Sequence, residues 1–134
     1  MPVMPSKIVH LSIDRPWKEV CDFASNPQNM PLWAAGLASG LTRNGDEWIA
    51  DGGAVGSVHV RFAATNDLGV IDHVVTMPDG LKVYNALRVT PNGDGAEIAF
   101  TLLQLPGMTD DDFARDAGLV KTDLDTLKSI VERS

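Results

Sequence analysis

Three stretches of this chain, 56–66, 70–77 and 81–89, alternate apolar and polar residues and are joined by short turns, the pattern of antiparallel strands with one face buried. A fourth, 96–105, follows, and one long amphipathic helix pattern over 110–133 closes the chain. A single helix that follows a curved antiparallel sheet buries its apolar stripe on that sheet's apolar face. A concave sheet gripping one helix leaves a hollow, and a hollow can hold a ligand. The expected fold class is α+β: a curved antiparallel sheet wrapped around a long C-terminal helix, with two short helices after the first strand.

Bulk properties narrow the partner. With 134 residues, 44% of them hydrophobic, the chain suits one domain over 1–134 with a real core. Eighteen Asp and Glu against eleven Lys and Arg leave a net charge of -7, which repels phosphate backbones and anionic membranes. Nucleic acid is thereby disfavoured, and a small neutral or apolar molecule fits better. One cysteine, Cys21, excludes an intrachain disulfide and reads as a small core hydrophobe. Residues 1–6 lack the basic flank and apolar run of a secretory signal, and no apolar stretch approaches the ~18 residues of a membrane span. The expectation is a cytoplasmic protein, a monomer or homodimer, with no membrane insertion.

Along the chain, Val9, Leu11 and Ile13 form the inward face of a first strand, with Ile8, His10 and Ser12 outward. Asp14 is placed to cap a short helix over 16–24, and a second short helix is expected over 29–35, stopping near Gly36. The segments 37–43 and 47–51 predict a hairpin turned through Asn44-Gly45, and the glycine-rich stretch 51–56 predicts a loop or bulge. In the next strand Val58, Val60, Phe62 and Ala64 share one face, while His59, Arg61 and Thr65 share the other. The turn Pro78-Asp79-Gly80 sets Val75 opposite Val83, His73 opposite Asn85 and Ile71 opposite Leu87, a face that is apolar except at His73 and Asn85. A loop over 91–94 sets Leu87 opposite Ile98 and Asn85 opposite Phe100, and pairs Arg88 with Glu97 on the reverse face. Thr109 and Asp112 make an imperfect capping box for the last helix, where Phe113, Ala117, Val120, Leu124, Leu127 and Val131 form the stripe that meets the sheet. Ala117 and Gly118 are small, so empty volume is expected beside them.

The order of elements resembles the helix-grip fold of the START-like superfamily, and its polyketide cyclase/dehydrase branch of SRPBCC proteins in particular. The likeness is carried by Asp14-Arg15-Pro16, by 26–33 from Asn26-Pro27 to Trp33, by 69–73, by Leu87-Arg88-Val89, by 92–97 and by 100–108. The tail over 113–132 completes it across nearly the whole chain. The resemblance implies an apolar cavity between sheet and C-terminal helix that binds an aromatic or polyketide-like molecule, with cofactor-free cyclisation or dehydration as the reaction if there is one. Carriage or sensing without conversion, and an oligomer-forming protein with a vestigial cavity, are the alternatives.

Asp72-His73 invites comparison with a carboxylate-imidazole dyad, but neighbours on a regular strand point to opposite faces. An inward His73 beside Asn85 is the better candidate: either the pair contacts and polarises a ligand carbonyl, or His73 is a core residue bonded to Asn85 or to water. Trp33 and Trp48 are placed at the mouth, and Val60, Phe62, Val75, Leu87, Phe100, Phe113, Ala117 and Val120 along the walls. His10 and His59 lie on outer faces away from His73, so no metal site is expected.

Overall fold

The computed structural model describes residues 2–37, 40–51 and 56–133. It runs β1 (Ser6–Ile13), α1 (Trp17–Ala24), α2 (Met30–Trp33), a 3-10 turn (Ala35–Leu37), β2 (Leu41–Asn44), β3 (Glu47–Asp51), β4 (Ser57–Phe62), β5 (His73–Thr76), β6 (Lys82–Asn92), β7 (Gly95–Leu103) and α3 (Asp110–Glu132). The sheet order is β1-β7-β6-β5-β4-β3-β2, antiparallel at every neighbouring pair, so the first strand closes beside the last. This is the helix-grip arrangement, α+β, with α3 held against the curved sheet.

The core sits where α3 crosses the central strands. Leu87, Val89 and Ile98 from the sheet meet Leu124 and Leu127 of α3, with Val20 and Ala24 of α1 and Met30 of α2 completing the cluster. Each of these large side chains is almost fully withdrawn from water and contributes about 1.5–3 kcal/mol. Cys21 is buried beside them, and burial pushes its thiol up. The α3 capping box is complete: Asp112 donates its N–H to Thr109 Oγ1 at 3.0 Å, and Thr109 donates its N–H back to Asp112 Oδ2 at 3.2 Å.

Several local expectations are corrected. Asp14 does not cap α1: the helix starts at Trp17, so the cap position falls to Pro16, and the Asp14 N–H donates to the Glu132 carboxylate at 2.8 Å. The second helix ends at Trp33 and gives way to the 3-10 turn that contains Gly36. The β2–β3 turn is Gly45-Asp46, since Asn44 pairs with Glu47. Positions 38–39 of the expected first arm, and 52–55 of the glycine-rich stretch, lie outside the described residues. β4 stops at Phe62 because Asn66 gathers the next turn, accepting from the N–H groups of Leu68 and Val70 and donating to the carbonyls of Ala64 and Val70, which leaves Ala64 exposed.

The β5–β6 register is the expected one, with His73 opposite Asn85 and Val75 opposite Val83, and Gly80 takes a φ of 89° in the turn. The β6–β7 register differs by two residues, Leu87 facing Phe100 and Val89 facing Ile98. The turn there is the tight Gly93-Asp94, with Gly93 at a φ of 56°, instead of a longer loop. A slip of two keeps every side chain on its face but changes its partner. Arg88 therefore pairs with Asp72 at 2.9 Å, while Glu97 accepts from Ser12 and Asn92 and meets His10 at 2.7 Å.

Candidate functional site

The centre of the site is a place where the sheet forks. The β6–β7 ladder ends at Ala86 and Thr101; below it β6 pairs only with β5, and β7 only with β1. A hollow of about 640 Å³ fills this fork. Val83, Asn85 and Leu87 line it from β6, His73 and Val75 from β5, Val58 from β4, and Phe100 and Leu102 from β7. Met30 and Trp33 close one end, and α3 contributes Asp116, Leu119, Val120, Asp123 and Leu124.

Of the residues singled out from sequence, His73, Asn85, Trp33, Val75, Leu87, Phe100 and Val120 are brought together around this hollow. Trp48, Val60, Phe62, Phe113 and Ala117 are not in its wall. Trp48 and Val60 face each other further out along the sheet, on β3 and β4, with Val60 wholly buried. Phe62 packs its ring 5.5 Å from the His73 ring, behind it. Phe113 turns toward β1, where Lys7 Nζ lies 5.3 Å over its ring, and Ala117, one turn on, shares that side of the helix. The void meets the adjoining helix face instead, at positions 116, 119, 120 and 123. Val83 and Leu102 were legible as inward residues by strand alternation; Asp116 and Asp123 carry only a weak signal, their spacing about Val120.

Asp72 and His73 do share a task, though not as a dyad. Ile71 donates its N–H to the Leu87 carbonyl at 2.8 Å, and a regular ladder would return a bond from the Leu87 N–H to the Ile71 carbonyl. Here the Leu87 N–H goes to Asp72 Oδ1 at 2.9 Å, and the Ile71 carbonyl meets His73 Nδ1 at 3.0 Å. Two side chains thus replace one backbone bond. Asp72 turns to the outer face, where Tyr84 Oη donates to it at 2.6 Å and Arg88 at 2.9 Å. His73 turns to the hollow.

A carbonyl can only accept, so His73 Nδ1 carries the proton and Nε2 presents its lone pair. Burial holds this imidazole below its ordinary value of 6.5, against the opposing pull of the Ile71 bond and the Asp72 charge, so the ring is neutral at pH 7. The unfolded chain then binds a proton that the folded chain resists. Stability from this group is complete above pH 6.5 and is lost as pH falls through the lower folded value. Urea midpoints between pH 7 and 5 are expected to fall in the wild type and to fall less in His73→Gln; equal slopes would refute the assignment.

Asn85 forms no side-chain hydrogen bond among the described residues, so the alternative in which His73 bonds Asn85 gives way to the bond with Ile71. Asp123 accepts the Ala35 N–H at 3.2 Å, and burial raises its carboxyl above the usual range. Trp33 is 6% exposed, and its Nε1 is buried without an acceptor among the described residues. Among those residues no cluster of His, Cys, Asp or Glu is suited to a metal ion, and no helix is long and apolar enough to cross a membrane.

Sheet, gripped helix and forked hollow together define a helix-grip domain. No family model and no curated protein matches the sequence. Solved structures do match in fold. A conserved protein from Geobacillus kaustophilus superposes with a TM-score of 0.75 at 13% identity, covering 97% of each chain. DynU16, a protein of the dynemicin biosynthetic locus, gives a TM-score of 0.73 at 14% identity over 95% of this chain and 47% of its own, so the present chain spans about half its length. CalU16 from Micromonospora echinospora gives 0.67 at 15% identity over 94% and 73%.

Proposed function

We propose that this chain is a polyketide-cyclase-like member of the SRPBCC superfamily that binds one small, largely apolar molecule in the fork between β6 and β7. The observation that carries the reading is the hollow of about 640 Å³, walled by Val75, Val83, Leu87 and Phe100, with the Asn85 amide offered unbonded among them. Similarity in fold to DynU16, from a biosynthetic locus, supports a guest of that general kind. If the guest is converted, neutral His73 serves as a base through Nε2 while Asn85 polarises a carbonyl. Carriage without conversion is the second reading. It is favoured by the Asp72 carboxylate, which is committed to Arg88 and Tyr84 on the other face and cannot stabilise an imidazolium from a paired position.

N-phenyl-1-naphthylamine, an uncharged dye that brightens in apolar surroundings, tests binding. One dye per chain is expected to saturate the protein, and Val83→Trp, which fills the hollow, to weaken it about tenfold with the thermal midpoint little changed. Undiminished dye binding by the filled variant would place the dye elsewhere and defeat the reading.

A further inference from the structure

We propose that the hollow selects a guest bearing a hydroxyl on an aromatic or enol carbon, whose O–H donates to His73 Nε2, over the same skeleton bearing an ether. This rests on the binding reading above and adds the functional group of the guest.

The selectivity starts in the backbone. Because Asp72 Oδ1 takes the Leu87 N–H at 2.9 Å, the Ile71 carbonyl is left to the His73 ring, which it meets at Nδ1 at 3.0 Å. That bond requires the hydrogen on Nδ1. The ring's other nitrogen, Nε2, is then an acceptor and nothing else while the imidazole is neutral, and burial keeps it neutral. Phe62 backs the imidazole, with 5.5 Å between the ring centroids.

Nε2 is both unsatisfied and within reach. Among the described residues withdrawn from the surface, Trp33 Nε1 is the only side-chain nitrogen or oxygen that is sealed off and unbonded. His73 Nε2 has no donor among the described residues either, so it is open to contact, and His73 belongs to the wall of the hollow. Asn85 stands directly opposite His73 across the β5–β6 pair and lines the same space. Side chains so paired start about 5 Å apart at Cβ. A hydroxyl is a small neutral group whose single oxygen donates to His73 and accepts from the Asn85 amide. An ether oxygen accepts from Asn85 but turns a lone pair toward Nε2, which stays unpaired in apolar surroundings.

The test sets 2-naphthol against 2-methoxynaphthalene, each competing with N-phenyl-1-naphthylamine at pH 7. In the wild type 2-naphthol is expected to bind about tenfold tighter than its methyl ether, although the ether is the more apolar of the two. His73→Phe, which keeps a ring and removes both nitrogens, is expected to bring the two to equal affinity. A second measurement is made on the wild type by long-range proton–nitrogen correlation, with the His73 signals identified by their loss in His73→Gln. Its Nε2 signal is expected to move toward the protonated position as 2-naphthol binds and to stay in place with the ether.

Equal affinity for naphthol and ether in the wild type overturns the proposal while the binding reading stands. A preference that survives in folded His73→Phe does the same, since size then does the sorting. If that variant does not fold, the nitrogen signal decides: an Nε2 that does not respond to bound 2-naphthol overturns the proposal. If the dye and both naphthalenes fail to bind, the binding reading and this proposal fall together.

Discussion

Replacing Gly69 with alanine is expected to lower stability by about 3–5 kcal/mol, measured by urea denaturation. Gly69 has a φ of +78°, and a Cβ built there would lie 1.9 Å from the Val89 carbonyl oxygen. That oxygen belongs to the backbone of the long central strand, with Val89 itself wholly buried, so no side chain can swing aside. The Val89 N–H donates to the Gly69 carbonyl at 2.9 Å, which holds the two backbones together. Gly93→Ala is the control. Gly93 also has a positive φ, +56°, but open space surrounds its absent side chain, so only the left-handed penalty of about 1–2 kcal/mol applies. Losses of equal size in the two variants would show that the close approach at Gly69 is not what matters.

Asp72→Ala is expected to cost about 2–4 kcal/mol, because the buried carboxylate accepts the Leu87 N–H and the bonds from Arg88 and Tyr84. Asp72→Asn keeps an acceptor there and is expected to cost less. The pH dependence follows from the charge. Burial pushes this carboxyl up, but the bonds from Arg88, Tyr84 and the Leu87 N–H outweigh it and hold the group below its ordinary value of 3.8. Its contribution is present above pH 3.8 and disappears as pH falls through the folded value, so the wild type and Asp72→Ala should converge in strong acid. A constant gap between them from pH 7 to pH 2 would refute the ionic account.

Much of this architecture is legible in the residues, for identifiable reasons. Pro78-Asp79-Gly80 admits one tight geometry, and that geometry sets His73 against Asn85. The 92–95 turn admits two lengths that differ by two residues, and alternation cannot separate them because both keep Leu87 and Phe100 inward. The longer loop assigns Arg88 to Glu97, and the tight turn gives it to Asp72 instead, on the same face. The exchange at Ile71 and Leu87 leaves no trace in periodicity, since side chains take over a bond that the pattern assigns to the backbone. At the hollow, the stripe of α3 identifies the core residues Leu124 and Leu127, but a stripe does not say which flank borders empty space. Asp116 and Asp123 read as solvent residues until the fork between β6 and β7 is known.

The parting of β6 from β7 below Ala86 and Thr101 also bears on capacity. A continuous sheet can enlarge its concavity only by breaking ladder bonds, whereas below the fork the β5–β6 and β1–β7 pairs are not bonded to each other and their separation is not fixed by a ladder. On the binding reading, a bulkier guest would be admitted by spreading these two pairs like the halves of a clamshell, at no cost in backbone bonds.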